Sequence, residues 1–331
     1  MYPRRSHLIT LLLATSAIGF NAASAADAKT GIEAWTAFSG AELSASQSGE
    51  VQMKSNPSMN FDRGLSAQAI YVVDAKVESA VRALTSLDPT RYPELEVFQQ
   101  RTFRTEADAR FSELKIDPKA APFDRLLGEM VAPRNLQLAN DERGRLPRQK
   151  MASAAQEFWA KALRDRWVRF AQEGVTMPVG KFDARSEIRS LLREEPKVAA
   201  HFGVLLQPLT SAAGGAAPPA SSYYWDISKT EGIANFELGA VFERTEEDRR
   251  QIADVTYYSS SGYITAVSLF EFIPLTGRAT PQTLVWHGTL LSSAEVAGAF
   301  GLKRKFAIRS LEDEMRRWIG IFRRACAEDK K

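Results

Sequence analysis

Apolar positions recur along this chain at two spacings, and the change between them divides it. Near the end, Ile308, Leu311, Met315, Trp318, Ile319 and Phe322 fall mostly three and four residues apart, one stripe of an α-helix. Glu312 and Asp313 precede Arg316, Arg317, Arg323 and Arg324, the order that complements a helix dipole. Such a stripe needs a long apolar partner, and the stretch just upstream supplies one. Phe236, Leu238, Ala240 and Phe242 alternate with Glu237, Gly239 and Glu243, the period of a half-buried strand. Strands at 255–260, 263–273 and 283–291 follow, with Ser261-Gly262 placed as a tight hairpin turn. On the last, Leu284, Trp286 and Leu290 share the apolar side, and Val285, His287 and Thr289 take the other. Antiparallel strands followed by a long helix give an α+β class, a curved antiparallel sheet holding the helix.

Earlier, 66–73 reads as a strand. Asp74 is placed to cap the helix marked by Val77, Ala80, Val81 and Leu84. A second short turn at 91–93 leads to a strand at 95–103, with Leu95, Val97 and Phe103 on one side. Residues 105–206 read as mostly helical. One helix carries Phe123, Leu126, Leu127 and Met130; a second carries Phe158, Trp159, Ala162, Leu163, Val168 and Phe170; a third, interrupted at Pro196, carries Ile188, Leu191 and Leu192. The stretch 140–147 reads as a charged loop. Residues 207–221, rich in Ala, Gly, Pro and Ser, read as a flexible linker. Signals are weak over 26–65, where Trp35 and Phe38 are expected to pack on the body and 50–54 to form a short edge strand.

The run from Ala69 to Leu84, a strand entering a helix with apolar residues three and four apart, resembles the opening of a helix-grip fold of the START-like superfamily. The strand at 283–291, the small-residue loop through Gly298 and Gly301, and the terminal helix resemble its ending. The resemblance covers 66–104 and 222–325, and implies an antiparallel sheet curved around the C-terminal helix. The helical block at 105–206 is then an insertion that compact members lack. What the resemblance implies about function is a cavity between sheet and helix for a lipid-like, apolar or amphipathic molecule; some members are cyclases or dehydratases.

Composition places the chain in a compartment. Met1 to His7 is short and basic, an apolar run extends to Phe20, and Ala23 and Ala25 supply small residues. That is the pattern of a secretory signal peptide spanning 1–25, cleaved near Ala25, and it predicts a soluble exported protein, periplasmic if the source is a Gram-negative bacterium. The whole chain of 331 residues carries a formal charge of +3, and losing Arg4 and Arg5 leaves the rest near neutral, with no bias toward nucleic acid. The only cysteine, Cys326, excludes an internal disulfide.

Motif chemistry is sparse. No nucleophile elbow, phosphate loop, dinucleotide fingerprint or zinc helix occurs, so neither cofactor nor metal is expected. His201, His287 and Cys326 read as structural. The acidic pairs Glu194-Glu195 and Glu246-Glu247 read as solvated. Glu271 interrupts an apolar strand and reads as a polar anchor if its face is buried, or as an exposed or paired residue. The candidate pocket walls are Trp225, Tyr257, Phe270, Glu271 and Trp286, closed from the helix by Met315, Trp318 and Phe322. The same aromatics would also build a closed core. Three functions stay open: binding of an apolar or amphipathic small molecule, a solid-cored interaction module presenting the helical block to an envelope protein, and an enzyme using Glu271 or His287 as acid or base; a membrane surface, met by the basic residues around the last helix, is a further partner class.

Overall fold

The computed structural model describes residues 31–56, 59–173, 178–179, 181–210, 220–299 and 301–328. The signal-peptide segment and most of the Gly/Pro-rich stretch lie outside the described residues. Ten strands occur among those described: β1 (Gln52–Ser55), β2 (Gly64–Val73), β3 (Val97–Phe103), β4 (Pro178–Val179), β5 (Phe182–Asp183), β6 (Ser222–Thr230), β7 (Ile233–Glu246), β8 (Arg249–Ser259), β9 (Thr265–Leu275) and β10 (Gln282–Ser292). β4 and β5 pair only with each other; the rest form one eight-stranded sheet in the order β1-β2-β10-β9-β8-β7-β6-β3. Every pairing is antiparallel, and the sheet is curved and unclosed, with β1 and β3 at its edges. The class is α+β, as the pattern predicts.

Both faces of the sheet are covered. On one lie α1 (Gly40–Gln47), α3 (Ala121–Val131), α4 (Ala152–Glu173), α5 (Ala184–Glu194), α6 (Pro196–His201) and α7 (Gly203–Thr210). On the other lie α2 (Val77–Thr85) and the terminal helix α8 (Leu302–Glu328). This explains β2, every residue of which is buried. A strand covered on both sides reads as continuously small or apolar, and Ala67 and Ala69 let α8 approach closely. The α8 stripe Ile308, Leu311, Met315, Ile319 and Phe322 is buried as its spacing predicts.

The helix-block face is a dense aromatic core. Trp159 stacks on Phe236 at 4.4 Å and Phe170 on Tyr257 at 3.8 Å. Trp225 Nε1 donates to the carbonyl of Ala109 at 2.7 Å. Trp35 and Phe202 pack on Trp286 at 4.8 and 5.5 Å, so the segment around Trp35 does rest on the body. Burying each such ring contributes about 1.5–3 kcal/mol.

Several boundaries differ from the sequence reading. Asp74 does not cap α2; the capping position is Lys76, and Asp74 instead accepts from Gln282 Nε2 at 2.8 Å. Leu95 closes a 3-10 turn, Glu96 turns left-handed at φ 52°, and a bulge between Val97 and Gln99 breaks the expected parity of β3. Helix continues to Thr210, into the stretch read as linker. The charged stretch 140–147 holds a helical turn, Asn140–Arg143, whose Glu142 is buried in an ion pair with Arg166, itself 3.8 Å above the Tyr258 ring. Glu195 is not a solvated charge: it accepts from Ser66 Oγ at 2.8 Å and Asn56 Nδ2 at 3.2 Å. Glu246 and Glu247 are exposed as expected.

Candidate functional site

The structure divides the predicted pocket residues between the two faces of the sheet. Trp225, Tyr257, Trp286 and Glu271 point toward the helical block, whereas Phe270, Met315, Trp318 and Phe322 meet on the α8 side. Strand parity alone separates Phe270 from Glu271. Tyr257 follows the parity of Ala253 and Val255, and a bulge, where the register between β7 and β8 shifts at Leu238/Gly239, brings Tyr258 to the same helical-block side. The sequence-predicted pair of Trp286 and Trp318 is therefore not brought together.

Glu271 is 1% exposed and paired. It contacts the ring of His201 and accepts from Arg249 Nη1 at 3.4 Å. Trp35 stacks on the same imidazole at 3.9 Å and 8°. Gln251 stands 3.1 Å from His201 Nε2. The cluster ties the Trp35 segment and α6 to β8 and β9. Phe202 and Trp286 seal its inner side.

The α8 side is different. Along β9, Ala266 and Ser268 are partly accessible, while Val267 and Leu269 behind them are fully buried. Asp254 on β8 and Thr289 on β10 repeat the contrast, and the register lines up Asp254, Ser268 and Thr289 across three strands. The next row holds Thr256, Ala266 and Leu291. Accessible residues on the inner side of a covered sheet mean that α8 does not close on this part of it. From this accessibility we infer a recess between β6–β10 and the flank of α8 that carries Glu314 and Trp318.

The recess has two unlike ends. At one, His287 stacks on Phe270 at 4.2 Å, and Trp318 meets His287 at 5.0 Å and Phe322 at 5.2 Å. Burial pushes His287 down to about 3, so it is neutral at ordinary pH. Its Nε2 meets Thr289 Oγ1 at 3.1 Å, and its Nδ1 has no partner among the described residues. At the other end stand three carboxyls, of which the sequence reading named only Glu237, on the polar side of its strand. Asp226 and Glu237 are register partners on β6 and β7. Burial, then the neighbouring Glu237 and Asp254, hold Asp226 well above the usual carboxylate range. Burial lifts Glu237 to about 7 although Tyr263, Ser228 and Asn235 hydrogen-bond to it. Asp254 is raised to about 6, again by burial, against the hydrogen bond from the Tyr224 hydroxyl at 2.9 Å. Tyr224 also meets Thr256 Oγ1 at 3.0 Å.

From α8, Glu314 adds a carboxyl that is raised by desolvation, with Arg317 opposing. Its side chain is nonetheless exposed to solvent-sized contact. Exposure together with desolvation marks a group lining a recess rather than standing on open surface. The strand β9 row from Ser268 to the β8 carboxyl of Asp254 spans one strand step, and Asp254 lies about 10 Å from the His287 strand at two steps of ~4.8 Å.

A sequence signal for the acidic end exists. Asp226, Glu237 and Asp254 each stand singly between apolar neighbours in strands otherwise rich in aromatics. Among the described residues no group of His, Cys, Asp and Glu is arranged to hold a metal ion. Among the described residues, too, no helix is long and apolar enough to cross a membrane. No family model matches this sequence, and no curated protein matches it significantly.

Proposed function

We propose that this chain binds a small amphipathic molecule in the recess between the sheet and α8. The observation that carries the reading is the one-sided accessibility of β8–β10. Asp254, Ser268 and Thr289 are reachable on the α8 side, whereas Ala253, Val267 and Leu269 are 0% exposed on the other. An aromatic end and a polar floor within one concavity suit a ligand with an apolar body and a polar head. The same arrangement supports a START-like, helix-grip reading of 66–104 and 222–325. An antiparallel sheet places its first long strand beside its last, two short helical turns precede β3, and the terminal helix lies on one face. Under that reading the helices of 105–206 are an insertion covering the far face.

Phe270, Met315, Trp318 and Phe322 are the pocket residues that remain candidates, joined by Tyr224, Asp254, Ser268, His287 and Thr289. Trp225, Tyr257 and Trp286 belong to the packed core. An enzyme using Glu271 or His287 is the weaker reading, because Glu271 is 1% exposed on the packed side and burial pushes His287 down to about 3, a weak base.

Native mass spectrometry of the full chain purified from its own source, with organic extraction of what it carries, tests the proposal. A stoichiometric small molecule is expected, and the variant Ser268→Trp, which fills the floor of the recess, should be empty. An empty wild-type protein, under conditions where a known lipid carrier stays loaded, would overturn it.

A further inference from the structure

The acidic end of the recess is built, not incidental. Asp226 is 7% exposed; its carboxyl hydrogen-bonds to that of Glu237, while its Oδ1 meets no N–H or hydroxyl donor among the described residues. A buried carboxylate oxygen left without a donor costs about 1–3 kcal/mol or more, so a fold retains one where something else supplies the donor. The neighbouring acceptors are already committed. Asp254 Oδ1 receives the Tyr224 hydroxyl, and Glu237 Oε1 receives Ser228 Oγ at 3.2 Å and Asn235 Nδ2. Asn235 is itself fixed, its Oδ1 accepting from Ser260 Oγ at 3.0 Å and the Ser261 amide at 2.9 Å. The position of Glu237 is therefore set by a hydrogen-bonded shell anchored in the Ser259–Ser261 turn.

The charge around this end is of one sign. Asp226 from β6, Glu237 from β7 and Asp254 from β8 face Glu314 from α8, with the neutral phenols Tyr224 and Tyr263 between them. Among the described residues the groups acting most strongly on the three sheet carboxyls are one another, these phenols, Ser228, Asn235 and Glu314. Arg317 opposes the shift at Glu314, and among the described residues no Lys or Arg pairs with Asp226, Glu237 or Asp254. An acidic end whose carboxyls pair with no cation among the described residues favours a cationic guest.

Resting on the recess proposed above, we infer that this end takes the ammonium head of an amphipathic primary or secondary amine, whose apolar body runs toward Phe270, His287 and Trp318. The head needs N–H donors, because the vacant partner is a carboxylate oxygen. A quaternary ammonium has none. The head carries one positive charge into a site where Asp226 and Glu237 stand side by side and share a proton. Binding then releases that proton to solvent: the ammonium brings one positive charge, the pair gains one negative charge, and the complex keeps its net charge.

The test uses the full chain and matched eight-carbon probes: octylamine, octyltrimethylammonium, octanol and octanoate, titrated calorimetrically at pH 7. Octylamine is expected to bind at least tenfold more tightly than each of the others. Its heat should differ between Tris and phosphate buffers in proportion to the proton released. Asp226→Asn and Glu237→Gln should each lower octylamine affinity at least tenfold and leave octanol unchanged. Asp254→Asn, which preserves an acceptor for Tyr224, provides a second acidic-end variant should either of those fail to fold, with the same expected selectivity. If octanol or octanoate binds as tightly as octylamine, or the variants keep full octylamine affinity, the cationic head is refuted and the recess stands. If none of the four probes binds, the recess reading falls as well.

Discussion

The hydroxyl of Tyr224 on β6 donates to Asp254 on β8 at 2.9 Å, passing over the intervening strand at Gly239. The absence of a side chain at Gly239 makes the crossing possible. A Cβ there would meet the Tyr224 ring carbon Cζ at 2.1 Å, so the ring would have to shift. Gly239→Ala is expected to cost about 1–3 kcal/mol through overpacking and to break the Tyr224–Asp254 bond. Thermal melting checks the first effect. Loss of octylamine binding beyond that seen in Tyr224→Phe checks the second.

The raised carboxyls fix a pH dependence. Glu237 and Asp254 ionise near 7 and 6 when folded, against ordinary values of 4.5 and 3.8. The folded chain therefore binds more protons between those limits than the unfolded chain. Their contribution to stability is complete below the ordinary values and is lost as pH rises through 6 and 7. Each unit of pH across which only the unfolded chain ionises costs about 1.4 kcal/mol per group. The melting temperature is expected to fall between pH 5 and pH 8, and Glu237→Gln should flatten that fall. A wild-type profile that rises over this range would contradict the assignment.

Removing His201 should be more damaging than its partial exposure suggests. His201→Ala leaves Glu271, 1% exposed, with Arg249 at 3.4 Å as its charged neighbour and takes away the plane on which Trp35 stacks. Losing this contact to a buried carboxyl costs about 1–3 kcal/mol. Hydrogen exchange should quicken in the Trp35 segment and along α6, with little change along α8.

Trp286→Ala and Trp318→Ala should differ in kind. Trp286 is 0% exposed between Trp35 and Phe202, so its loss is expected to cost about 3–5 kcal/mol with no selective effect on ligand. Trp318 is half-buried beside His287 and Phe270, so its loss should weaken binding more than it lowers the melting temperature.

Much of the fold is legible in the residues. The stripe of α8, the alternation of β7 and the apolar spacing of α2 all follow from local periodicity, and none depends on knowing the partner. The site is less legible because alternation defines two faces of a strand without saying which is covered. Glu237 alternates with Phe236 and Leu238 like any solvent-facing residue, yet α8 and its own neighbours leave it 9% exposed. The bulge at Tyr257 cannot be seen in the period of β8, and it carries the next ring, Tyr258, to the opposite face from the one its parity with Ile252 and Asp254 implies. Glu271 and His201 lie 70 residues apart, and only the packing of α6 on β9 joins them.

Cysteine labelling tests the central claim most directly, that the sheet is open on its α8 side and sealed on the other. Cys326, the only native cysteine, is 2% exposed and should stay silent in the folded chain. Ser268→Cys and Val267→Cys place thiols on adjacent residues of β9 that point to opposite faces. Methyl methanethiosulfonate is expected to modify the folded Ser268→Cys protein rapidly and the Val267→Cys protein only on unfolding. Equal protection of the two thiols would mean that α8 closes on the sheet and no recess exists.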